Sequence, residues 1–301
     1  MIRALAHQRN RFEALAPAGA SVVSRAGRIL AACALAGAFA LSAPAAAFAE
    51  VLESDEIGNK TVAARGLSAD ACPDIEATHA MLVGSDGTVY FSRDVNAEVK
   101  IASLTKIMTA VVALENAPLD LTVTVDNEAA TVGESSAGLL EGDTMSLETA
   151  LYALMVPSGN DAGIAIAKSV GAHMSGDAST GYDTFIAAMN AKAADLGMSH
   201  SVYTNPHGLD FDAFGDENLH SSARDVATLV SYAMQNDTFR GIVDAGSTTI
   251  TVTSADGTAR NVALQTTDEL MGVYDGICGV KTGTTDDAGY CFAGAVSRDA
   301  G

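Results

Sequence analysis

The sequence predicts an α+β fold: an antiparallel sheet flanked by helices, with an all-helical subdomain inserted between its strands. Three observations carry that expectation. Short runs rich in β-branched and aromatic residues gather towards both ends of the folding region. Apolar or amphipathic helical segments fill most of the middle, from Ile101 to Gln235. A hydrophobic content of 48% against 18% charged residues, over 301 positions, is that of a chain with a large core.

Residues 1–49 stand apart. Arg3, Arg9, Arg11, Arg25 and Arg28 precede the apolar run ILAACALAGAFAL (29–41), and Ala47-Phe48-Ala49 follows as an A-x-A triplet. This is the pattern of a secretory signal, with cleavage expected after Ala49. The alternative is an uncleaved anchor, since 29–49 nearly spans a bilayer. Either way the working domain is expected outside the cytoplasm. Residues 50–76 lack periodicity and read as an acidic lead-in, leaving 77–301 as the folded domain.

The elements follow in order. Two apolar runs in ATHAMLVGSDGTVYFSR flank Ser85-Asp86-Gly87, which predicts a hairpin. IASLTKIMTA opens a helix greasy on almost every side, with Thr105 and Thr109 as a mildly polar stripe. LTVTV (121–125) reads as a strand. SLETALYALMV (146–156) is a helix that Pro157 and Gly159 stop. Further helices are expected from Asp161, over 182–198 and over 222–235, the last capped by Ser221 or Ser222. STTITVTS and ARNVALQT read as strands, and GICGVKTG and GYCFAGAVS as a final pair around residues 284–288.

The chain carries a formal net charge of −20. Its first 49 residues hold five arginines and one glutamate, so the remainder carries −24. That surface disfavours nucleic acid and anionic membrane as partners, and suits small or cationic molecules. Outside the leader lie Cys72, Cys278 and Cys291, an odd number with no CxxC or Cys/His spacing, so no metal or other cofactor is expected. Cys278 and Cys291 either face one another across the last hairpin as a disulfide or are two small buried hydrophobes.

The chemistry begins with a misplaced charge. Lys106 sits in the greasy helix one turn after Ser103, on the face lined by Ala110 and Ala113. A lysine kept from water loses preference for its ammonium form, and beside a hydroxyl it can act as the base that makes a nucleophile. Ser158-Gly159-Asn160 falls at a tight break between two helices, and Lys281-Thr282-Gly283 ends an apolar strand, where glycine leaves room for a ligand. SxxK, SxN and KTG in that order are the signature of penicillin-binding proteins and serine β-lactamases.

From Ala77 to Arg298 the chain resembles the D-alanyl-D-alanine carboxypeptidases, the low-molecular-mass penicillin-binding proteins. IASLTKIMTA, LYALMVPSGNDA, AKAADLGM, NPHGLD, SSARD and GVKTGTTDDAGYCF carry the likeness, in the family's order. The resemblance implies a β-lactamase/DD-peptidase-like fold, with the chain apparently cut before the last strand. It implies an extracytoplasmic serine peptidase that removes the terminal D-alanine from peptidoglycan pentapeptides, with β-lactams as inhibitors. Ser103 would be the acylated nucleophile, Lys106 its base, and Ser158 a proton relay in contact with Lys106. Asn160 would bond the substrate's amide. Lys281 and Thr282 would meet its terminal carboxylate, with Gly283 and Thr284 beside them. The backbone N–H groups of Ser103 and Thr284 would form the oxyanion hole. A D,D-endopeptidase or a non-catalytic wall-binding module stays open. A β-lactamase is disfavoured, since the second motif is SGN and no E-x-x-L-N stretch follows. Thr284 stands where many members carry histidine or an aromatic residue. Membrane contact would come only through the leader or a C-terminal tail. His207, in NPHGLD, is expected to be structural, since it lacks the partner that a triad needs.

Overall fold

A computed structural model describes residues 52–297, except 69–70, 74 and 211–217. The leader, Arg298 and the acidic positions Asp212, Asp216 and Glu217 lie outside the described residues. All described residues belong to one compact unit, Ala49–Gly301. Among them no helix is long and apolar enough to cross a membrane.

The mixed class is as expected, and the elements run in the expected order. Strand β1 is Glu56–Ile57, helix α1 Val62–Arg65, β2 Ala80–Val83 and β3 Val89–Arg93. A 3-10 turn, Ala102–Leu104, leads into α2 (Thr105–Asn116), then β4 (Thr122–Thr124), α3 (Asn127–Thr131) and β5 (Thr144–Ser146). Helices α4 (Leu147–Met155), α5 (Asn160–Ser175), α6 (Gly181–Asp195), α7 (Ala223–Ala233) and α8 (Asp237–Val243) follow. The chain then forms β6 (Thr248–Thr253), β7 (Ala259–Leu264), β8 (Ile277–Thr285) and β9 (Gly289–Val296).

Local chemistry sets these bounds. Ser146, Asp126, Ser222 and Asn236 each accept a backbone N–H at the start of α4, α3, α7 and α8, satisfying donors that the helix itself leaves free. The hairpins β2–β3 and β6–β7 turn on the same triplet, Asp-Gly-Thr. In each the aspartate accepts the N–H of the threonine two residues on, at 2.9 Å, from Thr88 and Thr258.

Three expectations change. The inserted segment is not all-helical, because β4 and β5 lie within it and pair with β6 and β7 in one antiparallel sheet. Strand β4 is the expected LTVTV, but the three residues of β5 carry too little periodicity to announce a partner for it. Secondly, among the described residues the strands form three sheets: β1-β3-β2, β4-β5-β6-β7 and β8-β9. Thirdly, the stretch read as a lead-in contributes to the fold. Strand β1 pairs with β3, and Asp55 receives a bidentate bond from Arg93 at 2.7–3.1 Å, both side chains being buried. No pattern in the sequence marks a pair 38 residues apart.

Helix α2 lies at the centre. Every residue from Thr105 to Ala113 is buried, and the helix packs against α4, α5, α6 and α7. Its polar stripe has a purpose. The Thr109 hydroxyl donates to the carbonyl of Pro206 at 2.7 Å, and Lys106 donates to that of His207 at 2.8 Å. Buried carbonyls of an irregular loop need donors, and this face of α2 supplies them.

Candidate active site

Three segments meet where β8 packs on the 3-10 turn ahead of α2. Ser103 lies in that turn, half-buried, while Lys106 begins α2 with no exposed surface. The Lys106 Nζ reaches the Ser103 Oγ at 3.0 Å, the Asn160 Oδ1 at 2.7 Å and the His207 carbonyl at 2.8 Å. Lys281 is 2% exposed on β8 and directs its amine to the Thr282 carbonyl at 2.8 Å. Ser103, Ser135, Ser158, Thr282, Gly283 and Thr284 face one cleft of about 580 Å³.

The electrostatics follow from burial. Lys106 is held well below the usual lysine range because it is cut off from water, and because the charge of Lys281 opposes a second cation. Asp161 acts the other way. Burial pushes Lys281 down to about 7, with Asp268 opposing. A neutral lysine amine has two N–H bonds and one lone pair. The Asn160 and His207 oxygens only accept, so they take both N–H bonds and leave the lone pair for the Ser103 hydroxyl. The cage thereby orients a base.

Strain and close packing hold the turn. Ala102 and Ser158 adopt positive φ, 47° and 64°, without being glycine. Gly283 was expected to leave room for a ligand; the approaching group is the protein's own turn. A Cβ there would sit 2.9 Å from the Ser103 nitrogen and 3.2 Å from the Ala102 Cβ. Gly208 performs the same service from the other side, facing the Ala102 carbonyl.

All eight residues singled out from sequence lie at this junction, but two have other contacts than expected. Asn160 is 1% exposed, and its amide is spent inside the protein, Oδ1 on Lys106 and Nδ2 on the Gly133 carbonyl at 3.1 Å. In this arrangement it holds the lysine. Ser158 makes no hydrogen bond to Lys106; its buried hydroxyl has no partner. Thr282 shares a 2.6 Å hydrogen bond with Thr267. Cys278 and Cys291 are free, Cys291 standing opposite Gly283 across the hairpin. Arg224, in the SSARD motif, donates to the Asn96 Oδ1 at 2.8 Å.

Two contributors escaped the sequence. Asp161 is 1% exposed and accepts from Ser136, Ala137, Leu139 and Ala162, pinning residues 136–139 to the start of α5. Its place just after SGN, at a helix start, was the available signal. His207 acts through its carbonyl, which has no signature at all. Asn205 fixes that loop by accepting from the N–H groups of His207 and Gly208 at 3.1 and 2.7 Å.

The His207 ring is structural, as expected: its Nδ1 accepts from the Leu209 N–H at 3.2 Å. Burial, with help from Lys106, pushes it from 6.5 down to about 3. The folded value is depressed, so this stability is full above pH 6.5 and is lost as pH falls towards 3. Thermal melts of wild type and His207→Asn across that window should show a shallower pH slope in the variant; equal slopes would contradict the buried neutral ring.

The family model for D-alanyl-D-alanine carboxypeptidases matches residues 66–300. This chain belongs to that family. Among curated relatives, a D-alanyl-D-alanine carboxypeptidase of Streptomyces sp. (strain K15) is 33% identical over 247 residues, 79% of this chain and 82% of that one. D-alanyl-D-alanine carboxypeptidase DacF of Bacillus subtilis is 30% identical over 233 residues, 74% of this chain but 54% of its own length. The crystal structure of the Streptomyces K15 DD-transpeptidase superposes with a TM-score of 0.69 at 31% identity, covering 75% of this chain and 87% of that one. Other carboxypeptidase-family relatives, from Pseudomonas aeruginosa and Escherichia coli, are named D-alanyl-D-alanine endopeptidase.

Proposed function

We propose that this chain is a serine-type D-alanyl-D-alanine carboxypeptidase that removes the terminal D-alanine of peptidoglycan stem peptides through an acyl-enzyme on Ser103. One observation carries the mechanism: the Lys106 Nζ stands 3.0 Å from the Ser103 Oγ, held there by the Asn160 and His207 oxygens at 2.7 and 2.8 Å, so that its neutral form can offer its lone pair to the hydroxyl. The Ser103 proton passes to Lys106 as Oγ attacks the carbonyl carbon of the penultimate D-alanine. Backbone N–H groups of Ser103 and Thr284 receive the developing oxyanion. The C–N bond then breaks, and the proton returns to the leaving amine, with the unpartnered Ser158 hydroxyl as relay. Water attacks the ester and frees Ser103. Lys281, with Thr282, anchors the substrate's terminal carboxylate, so its ammonium form is the working one. A β-lactam enters by the same attack, and its ester hydrolyses slowly.

The same reading puts the protein outside the cytoplasm, where peptidoglycan lies, and residues 1–49 support it as an export signal. The acidic surface fits a partner other than nucleic acid.

The test is labelling with a fluorescent penicillin, followed by peptide mapping. One label per chain on the peptide containing Ser103 is expected; no label, or a label elsewhere, refutes the proposal. Endopeptidase action would use the same groups, so D-alanine release from a pentapeptide is compared with cleavage of a cross-linked dimer. Faster cleavage of the dimer would make the chain an endopeptidase.

A further inference from the structure

Asp268 lies in the loop between β7 and β8, at the wall of the cleft. It is 8% exposed. Its Oδ1 accepts the Leu270 N–H at 2.9 Å, and its own N–H donates to the Thr266 hydroxyl at 3.2 Å. Its Oδ2 is buried with no hydrogen-bond partner. A carboxylate oxygen left so is costly unless a positive charge stands near. Lys281 is that charge. The two residues line one cavity of about 10 Å³, near the least space that one water needs. They make no direct ion pair within 4.0 Å, so the coupling runs across this cavity. The Thr267–Thr282 bond fastens the loop to β8 and fixes the separation.

We propose that Asp268 is a positioning residue for Lys281, its buried carboxylate holding the neighbouring amine charged and in place for the substrate's carboxylate. The inference rests on the acyl-transfer reading above and adds a group that none of the three motifs contains. Three charged groups matter around Lys281. Asp268 favours its ammonium form, while Lys106, across the site, is pushed down by burial first and by the Lys281 charge second. Glu269, the next residue, is exposed at the mouth of the cleft, where water screens it. Burial alone drives Lys281 towards the neutral amine, and Asp268 opposes that loss. Through Lys281 it also bears on Lys106, since a charged Lys281 adds to the burial that discourages protonation of the base.

The experiment is the second-order rate of labelling by fluorescent penicillin, measured against pH for wild type, Asp268→Asn and Asp268→Glu. The alkaline limb reports Lys281 and the acid limb Lys106. In Asp268→Asn the alkaline limb should move to lower pH by about one unit, a tenfold loss of rate on that side. The acid limb should stay, because Lys281 is charged in both proteins there. Asp268→Glu should recover much of the shift. Superimposable profiles, or a uniform drop at every pH, would overturn the assignment. So would an Asp268→Asn chain without the cooperative melt of the wild type, since the carboxylate would then be a requirement of folding. A wild type that labels at no pH would sink the acyl-transfer reading itself and this inference with it, whereas a labelling wild type with an unshifted variant sinks only the inference.

Discussion

Ser103→Ala, Lys106→Arg and the double variant should all lose penicillin acylation by the same factor, about 10⁴ or more. The equality is the informative part. Alanine removes the atom that attacks. Arginine puts a permanent cation in the cage and has no lone pair to offer near neutral pH. If Ser103 and Lys106 act as one unit, removing the second after the first costs nothing further. Additive losses would mean that Lys106 works elsewhere, for instance in binding. The rate of covalent labelling, with a thermal melt of each variant, decides. Lys106→Arg also lengthens a side chain that has no exposed surface, so its melt should fall even where its fold survives.

That prediction rests on a feature the sequence displays openly. A lysine among Ile107, Met108, Val111 and Val112 is legible because a charge breaks an apolar pattern. The first hairpin was legible for the same kind of reason, since Ser85-Asp86-Gly87 between two apolar runs writes a turn into local chemistry. What stayed hidden is whatever depends on the backbone of a distant segment. The His207 carbonyl, 101 residues from Lys106, is an acceptor that every residue possesses. The commitment of Asn160 to Lys106 and Gly133 follows from how residues 133–139 fold over α5, which Asp161 arranges through three hydrogen bonds to residues 136–139. The short strand β5 has the same standing. Strand β4 was legible as LTVTV, whereas β5 exists because β6 and β4 offer edges, and its own three residues do not specify it. The SGN triplet thus names residues that gather around Lys106, while the contacts its asparagine makes were not legible.

Gly208→Ala should combine a stability loss of about 3 kcal/mol with about a hundredfold loss of acylation in the protein that remains folded. Gly208 has φ of 95°, and a Cβ built there would lie 1.9 Å from the Ala102 carbonyl oxygen and 2.9 Å from the Thr105 hydroxyl. Neither neighbour can retreat cheaply. Ala102 already holds a positive φ, its carbonyl accepts from Thr105 at 2.9 Å, and Ser103 follows it directly. The strain would therefore spread into the turn that carries the nucleophile on one side, and into the His207 carbonyl on the other. Both ends of the Ser103–Lys106 contact would move, and displacements near 1 Å are enough to cost two orders of magnitude. Gly197→Ala separates this from the ordinary cost of alanine at positive φ. Gly197 has φ of 71° but nothing within 4 Å of its would-be Cβ. That variant should lose about 1 kcal/mol of stability and none of its labelling rate. Equal labelling rates in the two variants would show that Gly208 serves only the backbone and that the NPHG loop does not position Lys106.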